Sequence, residues 1–100
     1  MTIGLLITRD SFKDEIIGLT KAASAKGHSV IFFMMDDGTR HSQSPDVVAL
    51  KDLPGVTMSL CDHSAKLRGI TEDKIAKGIA AGSQYQNAVL NQDADRVIFI

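Results

Sequence analysis

The hydrophobic positions along the chain form two alternating patterns. Short, nearly continuous apolar runs are typical of strands buried on both faces of a sheet. Four such runs predict strands, at residues 2–8, 29–35, 56–60 and 96–100. Between the runs, apolar residues recur at three- and four-residue intervals, which is the spacing of amphipathic helices. The chain therefore alternates between predicted strands and predicted helices.

The first predicted helix has recognisable ends. Ser11 stands three residues before Asp14 and resembles a capping box with the shorter acid. Gly27 is suited to the position just after the last helical turn, where the backbone often becomes left-handed. After the second strand, the polar residues 39–45 predict a mobile loop, and Asp46 is expected to cap a short helix.

The second half of the chain is also predicted to contain helices. One or two helical turns are expected over residues 64–69. Another helix is predicted to begin at Thr71, with acidic residues near its positive end. It is expected to be interrupted or kinked at Gly82–Ser83 and to continue over residues 84–92, before the last strand.

The alternation of strands and helices defines the predicted fold class. It is typical of an α/β domain, a three-layer α/β/α sandwich with a small, mostly parallel sheet and helices on both faces. We expect residues 1–100 to form one domain. Functional groups of such sheets lie beyond the carboxyl ends of the strands. Three segments are predicted there: Arg9–Asp10, residues 36–43 and Cys61–Ser64.

Charge and composition exclude several classes of partner. The formal net charge is −1, and the 11 basic residues are scattered along the chain, so neither a nucleic-acid partner nor a membrane surface is expected. The longest apolar run, residues 30–35, is too short to span a bilayer. No dinucleotide fingerprint or P-loop occurs, and the three histidines are far apart in sequence. We therefore expect no cofactor and no metal.

The chain contains one cysteine, Cys61. A single cysteine cannot form an internal disulfide or a zinc site of several thiolates, and this usage suits a reducing compartment. No basic segment followed by an apolar stretch and a cleavage site precedes the first strand. We therefore expect a cytoplasmic protein.

Cys61 is the leading candidate for chemistry. It follows a predicted strand and precedes a predicted helix, whose free N–H groups would favour the reactive thiolate. Arg68 would add positive charge if its side chain reached back along the helix, as would a protonated His63, whereas Asp62 would oppose the thiolate. Structural alternatives stay open: a buried Cys61, a solvated His63, and an Arg68 that stabilises the end of the helix.

The cysteine segment resembles a known family. The run Cys61-x-x-Ser64-Ala65-x-x-Arg68-Gly69-Ile70 is similar to the cysteine motif of the DsrE/DsrF-like sulfur-carrier proteins. This resemblance implies a compact α/β sandwich that assembles into trimers or hexamers. It also implies that Cys61 accepts sulfane sulfur as a persulfide and passes it on. Ser64 and Arg68 match the motif.

Three functions follow from these observations. The first is a sulfur carrier or sulfurtransferase subunit, with Cys61 exchanging sulfur between a donor and an acceptor protein. The second is a one-cysteine thiol peroxidase or hydrolase, in which Arg68 and Ser64 would polarise a peroxide. The third is a non-enzymatic oligomeric binding module with an inert Cys61.

A homo-oligomer, a trimer or hexamer, is expected for a physical reason as well. A core of 100 residues is small, and association is one way to bury more apolar surface. Residues 34–35 and 47–48 are apolar and lie on either side of the predicted loop. We expect them to offer part of that surface.

Overall fold

The computed structural model describes residues 1–100 and contains five strands and four α-helices. In chain order these are β1 (Thr2–Ile7), α1 (Lys13–Ala25), β2 (Ser29–Met34), α2 (Pro45–Val48), β3 (Val56–Cys61), α3 (Asp62–Leu67), β4 (Ile79–Gly82), α4 (Gln84–Asp93) and β5 (Arg96–Phe99). Three 3₁₀ segments complete the chain, at Asp36–Gln43, Ala49–Asp52 and Glu72–Lys74.

The five strands form one sheet in the order β4-β3-β2-β1-β5, and every pairing is parallel. The chain steps in one direction from β1 to β4 and then returns to the far side of β1. Because crossover connections between parallel strands are right-handed, this reversal of direction places the last helix on the opposite face. The three-layer α/β/α fold predicted from the sequence is confirmed.

The two faces of the sheet are buried to different extents. The larger core cluster has 15 buried residues and joins the sheet to α1, α2 and α3, through side chains such as Ile16, Val47 and Ala65. The smaller cluster has only four: Leu6, Phe33, Cys61 and Leu90. A single helix, α4, covers that second face. Cys61 therefore lies on the thinly covered side of the sheet.

All four predicted strands are present at nearly the predicted positions, but β4 was missed. The predicted helix from Thr71 is wrong: Glu72–Lys74 is one 3₁₀ turn, and Ile79–Gly82 is the edge strand beside β3. Gly78, directly before β4, has φ +95°, a conformation that a continuing helix cannot contain. The strand sequence Ile-Ala-Ala-Gly buries only Ile79 and shows no strand pattern of its own.

Two local predictions for the first half of the chain are also wrong. Helix α1 has no capping box at Ser11, because Phe12 is its N-cap residue, at φ +64° and without a side-chain cap. Residues 39–45 do not form a mobile loop, since Asp36–Gln43 is a 3₁₀ helix. Its hydroxyls are satisfied internally: Thr39 donates to the Asp36 carbonyl at 2.8 Å and Ser42 to the Thr39 carbonyl at 2.6 Å.

The cap predicted for the short helix is wrong as well, since Ser44 rather than Asp46 occupies its N-cap position. The apolar surface expected at residues 34–35 and 47–48 is largely absent. Met34 and Val47 are fully buried in the larger core cluster. The exposed apolar side chains lie elsewhere, and three of them are on β5: Val97, Ile98 and Phe99.

The close contact between the 3₁₀ segment and β1 requires a glycine. The Ile7 carbonyl accepts the N–H of Met35 at 2.9 Å, and Gly38 packs directly over that carbonyl. A Cβ atom on Gly38 would lie 2.0 Å from the Ile7 oxygen, which is backbone and has little freedom to move. This contact fixes the segment after β2 against the end of β1.

We expect Gly38→Ala to lower the free energy of unfolding by at least about 2 kcal/mol, because the new methyl group overpacks a backbone contact. Gly18→Ala is the matched control, since Gly18 lies inside α1 and a Cβ there would meet nothing within 4 Å. That change should stabilise the protein by about 0.5–1 kcal/mol. Urea denaturation measures both, and equal effects of the two variants would contradict the packing argument.

Candidate functional site

The cysteine occupies a junction between two elements. Cys61 is the last residue of β3 and the N-cap residue of α3, so the helix begins at Asp62, two residues earlier than predicted. Its Sγ accepts the backbone N–H of Ser64 at 3.5 Å. This contact supplies one of the free N–H groups of the first helical turn with an acceptor, and it favours negative charge on the sulfur.

Cys61 is only 8% exposed, yet it lines an open groove of about 490 Å³ at the carboxyl edge of the sheet. The groove is formed where the ends of β2, β3 and β4 meet the start of α4. Its other lining residues are Met35, Asp36, Asp62, His63, Ser64, Gly82, Ser83 and Gln84. The thiol thus combines an apolar setting on one side with access to solvent on the other.

Three of the four residues predicted for the site lie together in this groove: Cys61, His63 and Ser64. His63 is exposed, and no hydrogen bond fixes its ring. Ser64 is only 5% exposed. Arg68 is not among the lining residues, because its side chain points to other partners.

Arg68 connects two elements rather than reaching the groove. Its side chain reaches back along α3 and donates to the Ser64 carbonyl at 3.1 Å. Its Nε also donates to the Asp37 carboxylate at 2.8 Å. Arg40 lies 3.7 Å from the same carboxylate. Arg68 therefore ties α3 to the 3₁₀ segment after β2.

Two pKa shifts accompany the charges around α3. The hydrogen bond from Arg68 holds the pKa of Asp37 below its ordinary value. On the exposed side of α3, Asp62 pairs with Lys66 at 2.8 Å, and the hydrogen bond to that carboxylate raises the pKa of Lys66. Because Asp62 has a cationic partner, its repulsion of a thiolate at Cys61 is weakened.

Of the segments expected at the carboxyl edge, Asp36 and Cys61–Ser64 share the groove, but Arg9 does not. Arg9 lines a separate groove of about 360 Å³ between the ends of β1 and β5, with Phe12 and Phe99. Nothing in the sequence pattern indicates that Ser83 and Gln84 line the groove, because β4 shows no strand pattern of its own. Nor does the sequence indicate that Asp37 would meet Arg68, 31 positions away.

The structure shows no arrangement of three or more His, Cys, Asp or Glu side chains suited to hold a metal ion. No helix is both long and apolar enough to cross a bilayer. The groove presents a thiol, an imidazole, hydroxyls, an amide and carboxylates.

The fold and the groove together define a class: a small, parallel three-layer α/β domain with a cysteine at the end of its third strand. The chain belongs to the DsrE/DsrF-like family, which matches it over residues 1–100 and is known for sulfur relay. The resemblance noted in the sequence is confirmed. Comparison with curated proteins finds no match.

Two solved structures share the fold. The ychN protein from E. coli superposes with a TM-score of 0.72 at 17% sequence identity, covering 99% of this chain and 97% of that one. MTH1491 from Methanobacterium thermoautotrophicum, described as a protein of unknown function, gives a TM-score of 0.71 at 15% identity, covering 99% and 98%. At these identities the likeness establishes the fold alone.

The Asp37–Arg68 pair generates a pH-dependent prediction. Because the pKa of Asp37 is lower in the folded chain than its ordinary value of 3.8, the pair stabilises the fold above that value. The contribution is lost as the pH falls through the folded-state pKa. We expect Asp37→Asn to be less stable than the wild type at neutral pH and to match it in strong acid.

Urea midpoints measured from pH 2 to 7 test this expectation. Asp46→Asn is the matched control, since Asp46 is an exposed partner of Lys13 at 3.6 Å and is remote from α3. A difference between Asp37→Asn and wild type that stays constant across the acid range would contradict the ionic account.

Proposed function

We propose that this protein is a sulfur carrier, a sulfurtransferase subunit that holds sulfane sulfur as a persulfide on Cys61. The observation that carries the proposal is the position of the cysteine: Cys61 lines an open groove, and its Sγ accepts the Ser64 N–H at 3.5 Å. The general role of the family in sulfur relay supports the same conclusion. The proposal takes residues 1–100 as one DsrE-like domain.

The transfer needs only one cysteine. The Cys61 thiolate attacks the outer sulfur of a donor persulfide, R–S–SH, and forms a new S–S bond. The old S–S bond breaks, and the donor leaves as R–S⁻ with the electron pair of that bond. Cys61 becomes Cys61–S–SH, and the same exchange passes the sulfur to an acceptor thiolate. No net oxidant or reductant is required.

The charges of the groove favour a particular donor. Its wall contains the carboxylates of Asp36 and Asp62 and no lysine or arginine. Such a wall disfavours small dianions such as thiosulfate. A persulfide carried on the thiol of a donor protein adds at most one negative charge at the reacting sulfur, so it suits the groove better than a dianion does. We propose that the donor and the acceptor are cytoplasmic proteins, because a chain with a single cysteine suits a reducing compartment.

The peroxidase alternative receives less support from the geometry. A one-cysteine peroxidase needs a cation to polarise the peroxide beside the thiolate. The side chain of Arg68 is instead bonded to Asp37 and to the Ser64 carbonyl. The inert-cysteine alternative is favoured by the burial of Cys61 but does not account for the open groove beside its sulfur.

Persulfide loading tests the sulfur-carrier proposal. After incubation with cysteine persulfide, we expect the intact protein to gain the mass of one sulfur atom and to lose it on reduction. Cys61→Ser should gain nothing. A wild-type protein that gains no sulfur, and whose thiol resists iodoacetamide until the chain unfolds, would make Cys61 an inert core residue.

We also propose that the protein is a homo-oligomer, a trimer or a hexamer. Strand β5 is exposed along its whole length, and Phe99 is 68% exposed. Val97 and Phe99 are two residues apart and share one face of the strand, so they present exposed apolar surface there, which is a feature of association surfaces. The sheet face beside this strand is covered by α4 alone.

Light scattering at micromolar concentration should therefore give the mass of a trimer or hexamer, and Phe99→Ser should reduce it. Leu67→Ser is the matched control, because Leu67 is a similarly exposed side chain, at 71%, on α3. A monomeric wild type would overturn the proposal. Equal effects of the two substitutions would show that β5 is not part of the interface.

A further inference from the structure

Ser64 differs from the other buried hydroxyl residues of this protein. The hydroxyls of Thr20, Thr39 and Ser42 each donate to a backbone carbonyl, at 2.8, 2.8 and 2.6 Å. The backbone of Ser64 is fully engaged, with its N–H on Cys61 and its carbonyl on Arg68. Its hydroxyl has no partner, although the residue is only 5% exposed. An unpartnered buried hydroxyl ordinarily lowers stability.

The Ser64 hydroxyl is open to solvent. Every side-chain oxygen or nitrogen that is shut off from solvent makes a hydrogen bond. The Ser64 oxygen, which has no bond, must therefore retain contact with solvent. Ser64 lines the groove together with Cys61, so the groove accounts for that contact. The hydroxyl is thus a polar group presented to whatever occupies the space beside the sulfur.

A persulfide on Cys61 would occupy that space. It lengthens the side chain by one sulfur atom, at an S–S bond length of about 2 Å. Cys61 is packed against Leu6, Phe33 and Leu90 on its apolar side, so the added sulfur can extend only into the groove. Ser64 is already in contact with Sγ through its backbone N–H.

We propose that the Ser64 hydroxyl binds the outer sulfur of the Cys61 persulfide by donating a hydrogen bond to it. This inference rests on the proposed function. The outer sulfur carries the negative charge of an ionised persulfide, and hydrogen bonds to charged groups are stronger than neutral ones. The groove wall has no lysine or arginine for this purpose, and Ser64, whose backbone already contacts Sγ, offers a neutral donor there. Ser64 would stabilise Cys61 in its persulfide form.

The test compares Ser64→Ala with Ser59→Ala. Ser59 lies two residues before Cys61 on the same strand, and its hydroxyl donates to the Phe32 carbonyl at 3.1 Å. Each variant is equilibrated with cysteine persulfide and cysteine, and the loaded fraction is measured by intact mass. Ser64→Ala should lower the equilibrium constant for loading about tenfold. Ser59→Ala should leave it unchanged, and Ser64→Thr, which keeps the hydroxyl, should restore it.

Stability provides the second readout. Because the Ser64 hydroxyl makes no bond within the chain, Ser64→Ala should leave the urea midpoint unchanged or raised, whereas Ser59→Ala should lower it. The rate of Cys61 alkylation by iodoacetamide should be the same in Ser64→Ala and wild type, since the backbone N–H remains. Equal loading of Ser64→Ala and wild type, or a lowered urea midpoint for Ser64→Ala, would overturn the inference. Failure of the wild type to load would instead overturn the sulfur-carrier proposal, and this inference with it.

Discussion

Parallel pairing of the strands is the constraint on which the rest of this structure depends. Since β1, β2, β3 and β4 run in one direction, their carboxyl ends meet at a single edge of the sheet. Every connection must cross a face to return to the other edge, and these crossings supply the helices. The reversal of direction before β5 sends α4 to the face that the other helices leave open.

Because of the same constraint, the candidate site is formed by residues at the ends of strands and the beginnings of helices. Cys61 closes β3 and caps α3, while Gly82 closes β4 and leads into the start of α4. A Cβ on Gly82 would lie 2.2 Å from the side chain of Gln86, whose Oε1 accepts the Ser83 N–H at 2.7 Å. The groove wall opposite the thiol is therefore a capped helix start, held by its own hydrogen bonds.

The two faces of the sheet differ in what they contribute: one supplies most of the hydrophobic stabilisation, and the other contains the cysteine. The face covered by α1, α2 and α3 holds 15 buried apolar residues and supplies most of the hydrophobic stabilisation. The face covered by α4 holds four, and one of them is the cysteine. A thiol on this side can be reached from solvent without opening the main core. The Asp37–Arg68 pair secures α3 from the other side, so the first turn keeps its N–H on the sulfur.

The sequence by itself determined the elements whose signal is local. Strands β1, β2, β3 and β5 and most of helices α1 and α4 follow from apolar runs and helical spacing, and the cysteine motif indicated the family. Tertiary structure decided everything that depends on distant partners. Ile79–Gly82 becomes a strand because β3 offers an unpaired edge, although its own residues favour no strand. Asp37 meets Arg68 because the 3₁₀ segment packs against α3. The Ser64 hydroxyl, unlike those of Thr39 and Ser42, makes no hydrogen bond within the chain. Local periodicity records burial and backbone preference, whereas these contacts join residues far apart in the chain or depend on the direction of a single side chain.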